Sequence, residues 1–260
     1  MTPDRIPLYN KTVPYEEMSP DQAAPSLESF VFSGSRGAVV VAPGGGYVRK
    51  APHEGPAYAR MLKDAGISAF VLDYRVNPCH CMAPLADMQR AVRTVRSLGY
   101  EKVAVMGSSA GGHLACTAAV RYDRGIPGSP DPIDHFSCRP DALISCYSVV
   151  SFGPFAHEGS RRALLGDRAE DPDLIDHFSA EKHVTPDTPP SFLWHTADDG
   201  SVPCENSLLL AGALSANRVP FELHIFPHGP HGLGLAAEYP DVSVWASLCV
   251  RWLLSQGFGI

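Results

Sequence analysis

The sequence predicts a three-layer α/β domain built on a mostly parallel sheet, and three observations predict it. Short apolar, β-branched runs recur at residues 38–42, 68–72, 103–106, 143–146, 192–195 and 221–226. Helix-period segments lie between them. The chain has 260 residues, of which 45% are hydrophobic, enough for one sizeable core. Continuous apolar runs of this length read as strands buried on both faces. Strand–helix alternation then implies right-handed βαβ crossovers, with helices covering a central sheet on either side. Residues 1–260 are read as a single domain.

Each element has its own local reason. The segment before Phe30 is rich in Pro and acidic residues, so irregular structure with short edge strands at 6–9 and 30–32 is expected. A helix over 54–65 ends at Gly66, a natural terminating glycine. The helix over 84–98 carries Leu85, Met88, Val92 and Val95 on one stripe and ends at Gly99. Further helices are expected at 110–121, at 204–216 just after Pro203, and at 241–254. Between 149 and 190 the rhythm breaks: roughly forty residues show no strand pattern, and an insertion of that length is usually functional or disordered. Two readings stay open, a small cap above the carboxyl ends of the strands or a solvated surface excursion.

Bulk properties narrow the partners. A net charge of −7 argues against nucleic acid and anionic membranes, which demand a basic face. No run approaches the roughly 18 apolar residues of a membrane span. The start Met-Thr-Pro-Asp-Arg has no apolar run behind it, so no secretory signal and a cytoplasmic location are expected. The seven cysteines, 79, 81, 116, 138, 146, 204 and 249, are irregularly spaced and read as reduced thiols. Cys79-His80-Cys81 lacks a second ligand pair, so loop residues are favoured over a metal site.

The chemistry begins at Gly107-Ser108-Ser109-Ala110-Gly111, which directly follows the run 103–106 and opens the helix after it. A serine at such a junction sits on a sharp turn that exposes its Oγ, and the glycines remove side chains that would clash. Ser109 is therefore the expected nucleophile; Ser108 would need a glycine at 106, where Met106 stands. A serine needs a base. After a nucleophile placed on such a strand–helix turn, an acid and then a histidine follow in chain order. Asp198 and Asp199 end the run 192–195, and His228 and His231 follow 221–226. Asp199 and His231 are favoured, with Asp198 expected to cap the next turn and His228 to bond a backbone group or line the pocket. An oxyanion hole needs converging N–H donors. Ala110 supplies one; the loop Pro43-Gly44-Gly45-Gly46-Tyr47 supplies the other, with Gly45 favoured and Gly46 next. Tyr47 and His53 are candidates to line the substrate site. Asp73-Tyr74-Arg75 reads as structural ion pairing, and His113 as a packing or hydrogen-bonding residue.

Pro-Gly-Gly-Gly-Tyr at 43–47, Leu-Asp-Tyr-Arg-Val at 72–76, Gly-Ser-Ser-Ala-Gly-Gly-His-Leu at 107–114, His-Thr-Ala-Asp-Asp at 195–199, Val-Pro-Cys-Glu-Asn-Ser at 202–207 and His-Gly-Pro-His-Gly-Leu-Gly at 228–234 follow one pattern. It resembles the acetyl xylan esterase and feruloyl/acetyl esterase-like branch of α/β-hydrolases, near the hormone-sensitive-lipase type, from about residue 35 onwards. The resemblance implies Ser109, Asp199 and His231 as triad, the acid lying four residues before Pro203. It implies hydrolysis of small esters, acetylated sugars among them, with imported oligosaccharides favoured over polymeric xylan. No metal or organic cofactor is expected, and a homo-oligomer is left open. The rival readings are a peptidase of the prolyl-oligopeptidase type and a non-catalytic small-molecule receptor.

Overall fold

The computed structural model describes residues 4–10, 12–19 and 22–259. Eight strands, β1 (Arg5–Pro7), β2 (Ser26–Phe30), β3 (Gly37–Ala42), β4 (Ser68–Asp73), β5 (Lys102–Ser108), β6 (Ala142–Cys146), β7 (Ser191–Thr196) and β8 (Phe221–Phe226), form one sheet. Their order is β1-β2-β4-β3-β5-β6-β7-β8. From β4 to β8 every pairing is parallel, whereas β1–β2 and β2–β4 are antiparallel. β3 and β7 are buried along their whole length, as continuous apolar runs require.

The helices are α1 (Pro56–Asp64), α2 (Ala83–Ser97), α3 (Ser109–Val120), α4 (Glu158–Leu165), α5 (Pro172–His177), α6 (Glu205–Ala216) and α7 (Pro240–Ser255). One core cluster holds residues of α2, α3 and α6 against one sheet face; another holds α1 and α7 against the opposite face. The two layers of side chains thus sandwich the sheet, giving an α/β-hydrolase architecture. Trp194 of β7 stacks on Trp245 of α7, with ring centroids 4.8 Å apart, and locks the closing helix down. No helix is long and apolar enough to cross a membrane among the described residues.

Three expectations need correction. The strand expected at 30–32 is β2, at Ser26–Phe30, and it is no edge: it pairs with both β1 and β4. Buried Ser26 and Leu27, rather than the aromatic pair at 30 and 32, set its register. The helix expected from residue 54 starts at Pro56, after a 3₁₀ turn, Pro52–Glu54. Glu54 itself turns inward and is only 2% exposed. Asp73 and Arg75 do not pair with each other. Asp73 binds Arg5 and Lys50. Arg75 makes a buried two-pronged pair with Asp87 of α2, at 2.6 and 3.0 Å.

The 149–190 insertion contains α4, α5 and 3₁₀ turns and no strand, and it is packed rather than solvated. Val149, Val150, Phe152, Phe178 and Ala180 join the core cluster of α2 and α3. His113 of α3 stacks on Phe152 (centroids 4.2 Å apart) and bonds the Phe178 carbonyl at 2.7 Å. The insertion is thus cap-like, and it leaves from beside Ser109: Val149 N–H donates to the Ser109 carbonyl at 3.2 Å.

Candidate active site

Ser109 sits where β5 turns into α3, in the left-handed region at φ 53°. For a residue other than glycine this costs on the order of 1–3 kcal/mol. The pairing of Gly107 with Ala42 and Ser145 in the flanking strands holds it there. The two glycines of the elbow are dictated by contact distance. A Cβ on Gly107 would lie 2.1 Å from the Gly111 carbonyl oxygen, and one on Gly111 would lie 2.2 Å from that of Ala42. The sheet and helix therefore meet with no space for side chains at either position.

His231, on the loop after β8, places Nε2 2.8 Å from Ser109 Oγ. Its Nδ1 lies 2.7 Å from Asp199 Oδ2. A carboxylate only accepts, so Nδ1 carries the hydrogen and Nε2 is left as the acceptor facing the serine hydroxyl. Asp199 lies in the loop after β7, and its side chain is fully buried. Burial pushes its carboxyl pKa up, but hydrogen bonds from His231 and the amides of Val202 and Ser201, with the His195 imidazole close by, outweigh this and hold it well below the usual carboxylate range. Ser201 N–H and Val202 N–H reach Oδ1 at 2.9 and 3.0 Å. His195 Nε2 donates to the Val202 carbonyl at 3.0 Å and lies 3.4 Å from Asp199 Oδ2.

The alternative pair also meets, but separately. His228 Nδ1 lies 2.9 Å from Asp198 Oδ2, and the His228 side chain is 85% exposed. The structure thus brings Asp199 and His231 to Ser109, and makes Asp198 and His228 a surface clasp. The expectation that Asp198 caps the following turn is corrected: Asp199 Oδ1 does so, while Asp198 accepts from Gly229 N–H across the loop. His228 finds a carboxylate rather than a backbone group.

The glycine loop lies against Ser109, for a Cβ on Gly44 would stand 3.0 Å from Ser109 Cβ. Gly44 N–H is taken by Glu54 Oε2 at 2.7 Å. Gly45 and Gly46 N–H have no protein acceptor among the described residues. Ala110 N–H, in the first turn of α3, has no intrahelical acceptor. These three amides are available to an oxyanion. Tyr47 offers no surface to a substrate: it is 1% exposed, and its hydroxyl meets His113 Nδ1 at 2.8 Å. The reason is its left-handed backbone (φ 62°), which turns the ring under the loop. His53 is exposed and donates through Nε2 to the Gly232 carbonyl at 2.9 Å, beside His231.

Several supporting residues escape a reading of the sequence. Asn206 binds Val150 N–H, Ser151 N–H, and the Phe155 and Pro203 carbonyls at 2.9–3.1 Å, stapling the insertion to the Asp199 loop. Glu54, Tyr147, Tyr58 and Ser108 form a buried chain of hydrogen bonds under the site. Glu54 ahead of a helix reads as an ordinary helix-dipole acid. Only the curl of residues 44–54, closed by Ala51 N–H to the Gly44 carbonyl at 2.8 Å, reveals its other role.

The arrangement can move a proton from a serine hydroxyl to an imidazole held by a buried carboxylate, beside amides aimed at a developing negative charge. Known proteins with similar sequences carry xylan and ester hydrolysis in their names. The chain is 40% identical over 214 residues to endo-1,4-beta-xylanase B of Butyrivibrio fibrisolvens, covering 78% of this chain and 33% of that protein. It is 31% identical to an acetylxylan esterase of Xylanibacter ruminicola, covering 86% of this chain and 50% of that protein. The chain therefore spans a third and a half of the lengths of these curated relatives. The solved structure of an acetyl ester-xyloside bifunctional hydrolase from Caldicellulosiruptor lactoaceticus is 45% identical, with a TM-score of 0.94, covering 98% of this chain and 97% of that one. A family model described as BD-FAE matches residues 32–214, the greater part of the sequence, and the chain belongs to the BD-FAE family.

Proposed function

We propose that this chain is a serine carboxylic-ester hydrolase that removes short acyl groups, acetate foremost, from acetylated sugars such as xylo-oligosaccharides. The observation that carries the reading is the unbroken line Asp199–His231–Ser109, at 2.7 and 2.8 Å, beside unpaired amides. Ser109 Oγ attacks the ester carbonyl carbon while its proton passes to His231 Nε2. The carbonyl oxygen takes the negative charge and is held by Gly45, Gly46 and Ala110 N–H. Asp199 stabilises the imidazolium, which then protonates the departing sugar oxygen. Water, deprotonated by His231, attacks the acyl-serine, releasing the acid and restoring Ser109. His53, at the rim, is in place to meet the alcohol portion. The names of the similar proteins, an acetylxylan esterase and an acetyl ester-xyloside hydrolase, support the substrate class.

Acetate release from p-nitrophenyl acetate and from acetylated xylo-oligosaccharides tests the proposal. Wild type should turn over both, and Ser109→Ala should lose about 10⁴-fold or more. Equal rates for the two proteins overturn the mechanism. A preference for long acyl chains overturns the sugar-acetate reading.

A further inference from the structure

Glu54 is a carboxyl group buried to 2% exposure with no lysine or arginine within ion-pair distance among the described residues. The nearest basic group is exposed His53, 3.7 Å from Oε1. Burying a carboxyl group without a cation is costly unless hydrogen bonds compensate. Both oxygens have one: Oε2 accepts Gly44 N–H and Oε1 accepts the Tyr147 hydroxyl, each at 2.7 Å. Tyr147 Oη in turn accepts Gly234 N–H at 3.0 Å, three residues beyond His231. The Tyr147 ring stands edge-on to the His231 ring, with centroids 5.2 Å apart. Tyr58 Oη bridges Tyr147 Oη and Ser108 Oγ at 3.2 and 2.9 Å. One side chain thus ties together the glycine loop, the residue before the nucleophile and the loop of the base.

We infer that Glu54 is the positioning residue of the oxyanion loop. Taking the Gly44 N–H fixes the Pro43–Gly44 peptide plane, and Ala51 N–H holds the next plane through the Gly44 carbonyl, so that the Gly45 and Gly46 N–H groups that follow stay unpaired within the protein. The fit is close. A Cβ on Gly44 would meet Glu54 Oε2 at 2.6 Å and Ser109 Cβ at 3.0 Å, so the loop strand is held between the carboxyl and the nucleophile. A group that acts by reach and acceptance should be replaceable by a neutral side chain of equal length. In Glu54→Gln the amide oxygen accepts Gly44 N–H and the amide nitrogen donates to Tyr147 Oη. Tyr147 then donates onward to Tyr58, which reverses the chain without breaking it. In Glu54→Asp the carboxyl group stays but the side chain is one methylene too short to span both partners.

The inference rests on the ester-hydrolase reading, and its test separates the two. Glu54→Ala, →Asp and →Gln are compared with wild type for kcat and KM on p-nitrophenyl acetate, per site titrated with an organophosphate. Inhibition by a methyl trifluoromethyl ketone, which becomes a tetrahedral oxyanion on Ser109, is measured in parallel. Loss of one oxyanion donor costs about 10²–10³ in kcat. Glu54→Ala and Glu54→Asp should therefore lose about tenfold or more in kcat, with KM within about threefold and ketone affinity falling in proportion. Glu54→Gln should recover to within about threefold of wild type. Should the alanine variant fail to fold, the order of Gln over Asp decides alone. Asp above Gln, or unchanged kcat per titrated site in Ala and Asp, overturns the inference while leaving the esterase reading intact. A wild type inert to both ester and ketone overturns the esterase reading, and this inference with it.

Discussion

Asp199→Asn replaces one oxygen by an NH₂ group, and the site leaves it a single way to sit. The Oδ1 position accepts two backbone N–H groups, Ser201 and Val202 at 2.9 and 3.0 Å, so the amide must keep its carbonyl there. Its nitrogen then faces His231 Nδ1 where an acceptor stood at 2.7 Å. It also faces His195 Nε2, whose hydrogen is already committed to the Val202 carbonyl. Nδ1 can satisfy that donor only by giving up its own hydrogen to Nε2. The tautomer that results points N–H at Ser109 Oγ, and the base is lost without any change of shape. In serine proteases the same exchange lowers kcat about 10⁴-fold, equivalent to about 5 kcal/mol of transition-state stabilisation. The assay is kcat on p-nitrophenyl acetate, with Asp198→Asn as the matched control on an exposed carboxylate. A loss under tenfold for Asp199→Asn, or an equal loss for Asp198→Asn, would refute the reasoning.

Two further outcomes follow from buried titratable groups elsewhere. Arg75→Ala strands the fully buried Asp87 carboxyl, and urea denaturation should show a loss of about 3–5 kcal/mol; a change below 1 kcal/mol contradicts the pairing. His113 is wholly enclosed, and burial lowers its pKa to about 4. The unfolded chain, with a value near 6.5, then binds more protons between the two, so stability must fall as pH drops through that window. About 2 kcal/mol should be lost between pH 6.5 and 5 from this group. Thermal melts of His113→Gln should show a flatter profile over that range; a slope equal to that of wild type counts against it.

The fold was legible in the sequence because its parallel strands are buried on both faces, which turns 38–42 or 192–195 into uninterrupted apolar runs. The antiparallel rim was not: β2 has polar and half-buried positions, and what sets it is pairing with β4, a contact made across 42 or so residues of chain. The elbow at Ser109 was equally legible, since so tight a strand–helix turn demands glycines at fixed spacing. Its partners were readable only to within a residue. Neighbouring Asp198 and Asp199 face different sides of one turn, and only the turn's geometry tells which is buried. Tyr47 shows the opposite failure: adjacency to the glycine loop suggested a substrate contact, but a left-handed residue reverses the direction of its side chain. Glu54 and Asn206 were out of reach because their partners are remote in sequence or lie in the main chain, which carries no residue signature.

The loop that carries His231 hangs from the outermost strand, yet it is tied by four hydrogen bonds from three separate segments. Thr196 Oγ1 holds the Gly229 carbonyl at 2.8 Å, Asp198 holds Gly229 N–H at 2.8 Å, His53 holds the Gly232 carbonyl at 2.9 Å and Tyr147 holds Gly234 N–H at 3.0 Å. Such a mooring is fault-tolerant, since the loss of one line leaves three. The turn at Ser109 has no reserve of this kind: Gly107 and Gly111 each stand where no other residue fits. Sequence drift should therefore be distributed unevenly between the two halves of the same machine, free to change the ropes around the base and barred from touching the hinge under the serine.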